Sequence, residues 1–416
     1  MHIIFNIDNR IKLINIAFWS IVYVLFLYAF EAPVRFYSGR VGLGVFIYTK
    51  DLVLLFLSLL FLFEYKENQI IISKLAIVFF AILIFFGLVA TLNGISLKQV
   101  LFSYKIYLIL FVGMQVFRFL PEFNLKIRKT INWLAFLSCL GIFINLFITF
   151  PWEGASMIID GVELDTARAG YAVGGFKRVA GFGRNWSNPA YFALMATGLN
   201  YAYIEKWKIS DVLLIIIFSS GILITTNKGA IGSFLLITLF FWGTKFLPNI
   251  ILKSSIFLIL VITVLFPILS WGSAINFENK SLITKILFAS FKIRIEDMWP
   301  RGLELVRNHG SLLFGRGISG MGASQIIYEP LLYHPGDNVF VYLFGLSGMF
   351  SFVIFIYIAL KIFFLQLSEN KEALLVAILL ICFLGIGLIG TALENGILNL
   401  FFGFMFAGIY KVKIRL

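Results

Sequence analysis

The sequence predicts an all-α polytopic membrane protein, and three observations carry that prediction. Of 416 residues, 60% are apolar and only 13% are charged, against about 25% charge in an ordinary soluble domain. Phenylalanine alone contributes 48 residues, and the mean hydropathy is +0.96. The apolar residues fall in long runs, as helices crossing a bilayer core of about 30 Å require. They do not alternate with polar residues as the strands of a membrane β-barrel do. A soluble globular enzyme and a disordered chain are excluded on the same grounds. The net charge is +13, from 34 Lys and Arg against 21 Asp and Glu. These charges lie between the apolar runs, so anionic lipids and lipid-linked substrates explain them better than nucleic acid does. Cys139 and Cys382 fall inside apolar runs and read as packing residues.

At about 20 apolar residues per crossing, twelve spans follow, at roughly 13–30, 43–63, 72–92, 98–117, 131–150, 188–204, 211–226, 229–246, 250–270, 338–365, 372–391 and 395–411. Arg10 and Lys12 precede the first span. Its apolar run is too long for a secretory signal and no small-x-small cleavage site follows, so it reads as an uncleaved anchor. The segments on one side, from Arg10 and Lys12 to Lys413 and Arg415, hold most of the basic residues. Short segments on the other side hold only Arg35, Arg40, Lys98 and Lys228. The bias places both termini in the cytoplasm. Two long loops, roughly 151–187 and 271–337, break the pattern of short connections on the outer side, and loops of such length are uncommon unless functional. They carry basic residues of their own, among them Lys177, Lys280, Lys285 and Lys292. Residues 1–416 form one membrane domain without an internal repeat.

Four clusters hold residues suited to chemistry. The first comprises Arg178, Gly181, Phe182, Gly183, Arg184, Asn188 and Pro189, just before a span. Arginine forks match the oxygens of a diphosphate, and glycines admit a ligand close to the backbone. The same residues also describe an interfacial turn, with Asn188-Pro189 opening the next helix. In the second, Thr225 to Ala230, Lys228 either faces a ligand at the bilayer surface or snorkels from a hairpin turn. The third runs from Arg294 through Trp299, Pro300 and Arg301 to Arg307, then Gly315-Arg316-Gly317. A spacing of seven puts Arg294 and Arg301 on one helical face, with Ile295, Trp299, Leu303 and Val306 on another, although Pro300 interrupts. A surface-lying amphipathic helix is the alternative. In the fourth, Tyr333 to Asn338, His334 and Asp337 are candidate general bases, and Asp337 also suits the cap of the next helix. Within the spans lie Lys50, Asp51 and Lys105, which hold a lipid phosphate or pair inside the bundle. Neighbours on a helix face apart, so Lys50 and Asp51 have different partners.

In this order the clusters resemble the O-antigen polymerase (Wzy) and O-antigen ligase superfamily of bacterial inner-membrane glycosyltransferases. Arg178, Gly181, Phe182, Asn188 and Pro189 match an Arg-x-x-Gly-Phe…Asn-Pro pattern. Asn227-Lys228-Gly229 stands at a Ser-Arg-Gly turn. Arg294 with Trp299, then Gly315 and Gly317, match a long periplasmic loop. Asp337-Asn338 with Gly345 and Gly348 matches the final pair and glycines, with Asp337 where ligases usually have His. Order and loop lengths agree over roughly residues 170–350.

The resemblance implies a GT-C-like fold and a periplasmic glycosyl transfer from oligosaccharide on undecaprenyl diphosphate. In a polymerase the acceptor is a second lipid-linked repeat unit; in a ligase it is lipid A–core. The missing His favours the polymerase. Arg178 and Arg294 are expected to face the departing diphosphate, with Arg184, Arg301, Arg316 and Lys228 as further candidates, and Asp337 or His334 to act as base. Neither a metal nor another cofactor is expected. A chain-length regulator of the Wzz type is the expected protein partner, beside membrane lipids. A flippase for the same lipids is the rival from another class, although charge gathers here in outer loops and not at the midplane.

Overall fold

The structure, a computed structural model, describes residues 7–66, 69–159, 162–168, 170–171, 177–272, 290–367 and 370–412. Helices dominate it. α1 (Ile7–Ala29) turns by 81° into α2 (Glu31–Arg40). α3 (Thr49–Leu60), α4 (Lys74–Leu92), α5 (Leu97–Val116) and α6 (Leu120–Asn145) follow. Then come α7 (Ser187–Tyr203), α8 (Ile209–Ile224), α9 (Lys228–Gly243) and α10 (Asn249–Gly272). The last six are α11 (Trp299–His309), α12 (Ala323–Tyr328), α13 (Val339–Ser347), α14 (Phe350–Phe363), α15 (Lys371–Gly387) and α16 (Gly396–Lys411).

Among the described residues, four helices are long and apolar enough to cross a membrane, and the bent α1–α2 pair makes a fifth if it counts as one span. α8, α9, α14 and α16 are apolar but shorter. The membrane character therefore holds, while twelve full-length spans do not. The segment expected at 338–365 is two helices, α13 and α14, divided at Gly348 with φ +57°. The segment expected at 43–63 is a 3₁₀ helix, Gly44–Tyr48, running into the twelve residues of α3. Hydropathy counts apolar residues and misses the polar groups that start a helix. Ser96, Asn227, Asn338, Asn370 and Asn395 each accept a backbone N–H at an N-cap, which satisfies otherwise orphaned donors. Asn338, and not Asp337, caps α13.

Side chains such as Trp19, Leu88, Leu239 and Val353 face outward, where a soluble helix would be polar. The dense interior lies around α5, α7, α15 and α16, with Phe192, Phe383, Phe401 and Phe402 fully buried. α5 and α16 cross backbone to backbone: a Cβ on Gly113 would strike Leu400, and one on Gly403 would strike Leu110. Small residues at such crossings substitute for the hydrophobic drive that lipid does not supply.

The described parts of the two long segments, roughly 151–187 and 271–337, carry regular structure. Among the described residues, β structure is confined to three two-stranded antiparallel ribbons. They are β1 (Phe63–Lys66) with β2 (Gln69–Ile72), β3 (Ser156–Ile159) with β4 (Val162–Asp165), and β5 (Gly170–Tyr171) with β6 (Lys177–Arg178). The Gly181-Phe182 pair clamps the first segment to the bundle. Gly181 N–H donates to Asn145 Oδ1 at 3.1 Å, Trp152 Nε1–H donates to Gly181 O at 3.0 Å, and Ala32 N–H donates to Phe182 O at 3.1 Å. In the second segment a π-helical turn, Arg294–Met298, runs directly into α11. Pro300 follows the π turn directly, in the first residues of α11. Ile295, Trp299, Leu303 and Val306 are buried on one face, as their spacing predicted. Lys280, Lys285, Lys413 and Arg415 lie outside the described residues.

Candidate functional site

Three cations from three separate elements gather at one place, and one of them, Arg294, pairs with a carboxylate. Arg178 ends β6, held by pairing with Gly170, and its guanidinium stacks 4.9 Å from the Trp186 ring. Lys228 opens α9, whose cap residue Asn227 accepts from Ala230 N–H and donates to Ser187 Oγ at 2.9 Å. Arg294 lies in the π turn, a helix form that recurs at functional sites. Ser290 gathers two of the three: Lys228 Nζ donates to its Oγ at 3.4 Å and Arg294 Nη1 to its carbonyl at 2.8 Å. Arg294 Nη2 donates to Asp337 Oδ2 at 3.0 Å, and Trp299 Nε1–H to the Asp337 carbonyl at 3.3 Å. Arg178, Lys228 and Arg294 lie within mutual electrostatic reach.

This balance is incomplete without an anion. Burial, and then the facing Arg294 charge, lower the pKa of Arg178. Arg178 Nε and Arg294 Nε are buried without a hydrogen-bond partner, and an unmet buried donor costs about 1–3 kcal/mol. Asp337 Oδ1 carries no hydrogen bond among the described residues, while Oδ2 is held by Arg294. The arrangement suits a diphosphate facing three cations, with one free carboxylate oxygen beside it.

The remaining candidates are placed elsewhere. His334 is buried with both ring nitrogens engaged: Nε2–H donates to Met298 O at 2.7 Å and Nδ1 accepts from Gly336 N–H at 3.1 Å. Burial lowers its pKa, and with both ring nitrogens engaged neither is open to a substrate proton in this arrangement. Arg316, 1% exposed, spends its guanidinium on His309 O, Gly320 O and Glu329 Oε1. That network locks the Gly315–Gly317 turn against Gly345 and Leu346, whose carbonyls accept from Arg316 N–H and Gly317 N–H. The glycine motif is therefore architectural here: a Cβ on Gly315 would lie 2.6 Å from Ser347 N and one on Gly348 2.5 Å from Leu312 O. The Arg301 side chain is 71% exposed and pairs with Asp297 at 2.6 Å. Arg184 points into a different group of charges, with Arg35 and Glu31. No family model, curated protein or solved structure matches the chain.

Other residues join the site without a sequence signal. Ser290 is an ordinary serine in a run of mixed composition, and only the fold makes it a bridge. The Tyr191 hydroxyl shares hydrogen bonds with Asn227 and Ser187 and feels the Asp337 charge. Glu394, in the turn before α16, accepts from Ala323 N–H at 2.6 Å and from Tyr342 OH at 3.4 Å. Burial pushes its carboxyl up to about 7, with the Asp337 charge acting in the same direction. A lone acid between two apolar runs is legible as a candidate, although not as a neighbour of Asp337. Among the described residues, no three His, Cys, Asp or Glu side chains group to hold a metal ion.

Proposed function

We propose that the protein is a polymerase of lipid-linked oligosaccharide repeat units, acting on the outer face of the bacterial inner membrane. The observation that carries this reading is the gathering of Arg178, Lys228 and Arg294, the last paired with Asp337, beside the ends of apolar helices. An anionic group on a long lipid is the ligand that needs both features. In the proposed reaction an acceptor sugar hydroxyl attacks the anomeric carbon of the donor oligosaccharide. The bond from that carbon to the diphosphate oxygen breaks, and the electron pair leaves on the diphosphate. The three cations stabilise the charge that develops there. Asp337 Oδ1 takes the hydroxyl proton, while Oδ2 holds Arg294 in place.

Twelve crossings, both termini in the cytoplasm and a GT-C-like arrangement belong to the same proposal. The crossings are supported by a helix in every segment expected to cross, several of them short, and the orientation by the bias of basic residues between them. Acceptor dependence tests the reaction. Purified protein is given undecaprenyl-diphosphate oligosaccharide alone or with lipid A–core, and released undecaprenyl diphosphate is measured. Release from the lipid-linked substrate alone supports the polymerase. Release only with lipid A–core makes the protein a ligase and overturns the proposal.

A further inference from the structure

A second group of buried charges lies among α2, α3, α5 and the stretch before α7. Glu31 accepts from Arg35 Nη2 at 2.7 Å and Nε at 2.9 Å, and Lys50 Nζ stands 3.5 Å away. Lys105 faces Asp51, with Lys50, Arg35 and Arg184 also within electrostatic reach. Lys50 and Asp51 thus have different principal partners, as adjacent helical positions require. Its members differ in exposure, the more buried forming a floor and the less buried a rim. Glu31, Arg35 and Lys50 are 4%, 5% and 7% exposed, whereas Tyr48, Asp51, Lys105 and Arg184 are half-buried. Aromatic rings line it: Tyr28 lies 4.2 Å from Lys50 Nζ, and Phe102 lies 3.9 Å from Lys105 Nζ.

We propose that this group is a second anion site that takes the phosphate-bearing headgroup of a lipid, specifically the diphosphate of the second lipid-linked substrate. Four cations, Arg35, Lys50, Lys105 and Arg184, face two carboxylates, Glu31 and Asp51, among the described residues. Each ion withdrawn from water costs several kcal/mol unless paired, and cations at membrane depth mark functional routes. Arg35 Nη1 and Arg184 Nε are buried with no hydrogen-bond partner, so the floor and the rim each present an unmet donor. An anion entering past Lys105 and Arg184 would meet both and balance the excess charge. Arg184 and Arg178 belong to one short segment clamped at Gly181-Phe182, so a single loop serves both charge groups. Joining two lipid-linked units requires two diphosphates held at once. That assignment rests on the proposed transfer, while the anion site itself does not.

Native mass spectrometry of the full chain in detergent tests the proposal, with undecaprenyl diphosphate and phosphatidylglycerol as separate probes. Two bound undecaprenyl diphosphates are expected on wild type. The Lys105→Gln/Arg184→Gln double variant should weaken one of them at least tenfold, and Arg294→Gln should weaken the other. Lys105→Arg should retain both, which separates charge from packing, and the half-buried rim residues are chosen so that folding is spared. One bound lipid on wild type, unaffected by the double variant, overturns the site. Equal occupancy by phosphatidylglycerol on the same residues overturns the substrate assignment in favour of a bilayer lipid. Two bound diphosphates in a protein that never transfers sugar would support the site and defeat the transfer reading.

Discussion

Replacing Asp337 by Asn should move stability and anion binding in opposite directions. Asp337 and Arg294 are 3.0 Å apart, with side chains 21% and 16% exposed. At an effective dielectric of about 20, unit charges at that separation attract by about 5 kcal/mol. Desolvation returns much of it, leaving roughly 1.5–3 kcal/mol for a charged hydrogen bond. The partial exposure places this pair near about 2 kcal/mol. Asp337→Asn should therefore lower unfolding stability in detergent by about 2 kcal/mol, and a double-mutant cycle with Arg294→Gln should return a coupling of the same size. The substitution also removes the carboxylate that neutralises Arg294, so undecaprenyl diphosphate should bind several-fold tighter while turnover falls about 10²–10⁴-fold. A coupling below about 0.5 kcal/mol, or weaker diphosphate binding by Asp337→Asn, would refute the geometry assigned to this pair.

Three further outcomes follow from the same structure. Glu394 has a folded-state pKa of about 7 against an ordinary 4.5. Its contribution to stability is complete below pH 4.5 and is lost as pH rises through 7, at most about 3 kcal/mol; thermal melts across that window should flatten in Glu394→Gln. His334→Ala leaves Met298 O and Gly336 N–H unpaired, at about 1–3 kcal/mol each, so melting temperature should fall while the acidic limb of the pH–rate profile stays in place; disappearance of that limb would restore His334 as the base. Gly317→Ala forces a Cβ at φ +84° into the Ala90 backbone, costing about 2–4 kcal/mol. Gly42→Ala at φ +75° meets open space and should cost only about 1–2 kcal/mol; equal losses in the two melts would contradict the packing described.

The helical membrane class was legible because bilayer burial leaves its mark on composition along the whole chain. Arg294, Lys228, Arg178 and Asp337 were legible as types, since each is a polar residue in a connection between apolar runs. Their convergence was not, because Arg178 reaches the site through a two-residue ribbon and Lys228 through a serine. His334 and Arg316 show the reverse. Both look chemical in sequence, yet nearby carbonyls and a carboxylate consume them, and no local pattern announces such partners. The division at Gly348 was hidden for a related reason. Hydropathy runs unbroken from Val339 to Phe363, and only the packing of Gly348 against Leu312 ends the helix there.

The most direct measurement follows product size from purified protein and undecaprenyl-diphosphate oligosaccharide. Wild type should build a ladder. Arg178→Gln, Lys228→Gln and Arg294→Gln should each lose it while remaining folded, and the exposed Arg301→Gln should keep it. A protein that builds no ladder with any acceptor, yet carries the lipid-linked sugar across a liposome membrane, would contradict the polymerase and make these cations part of a transport path.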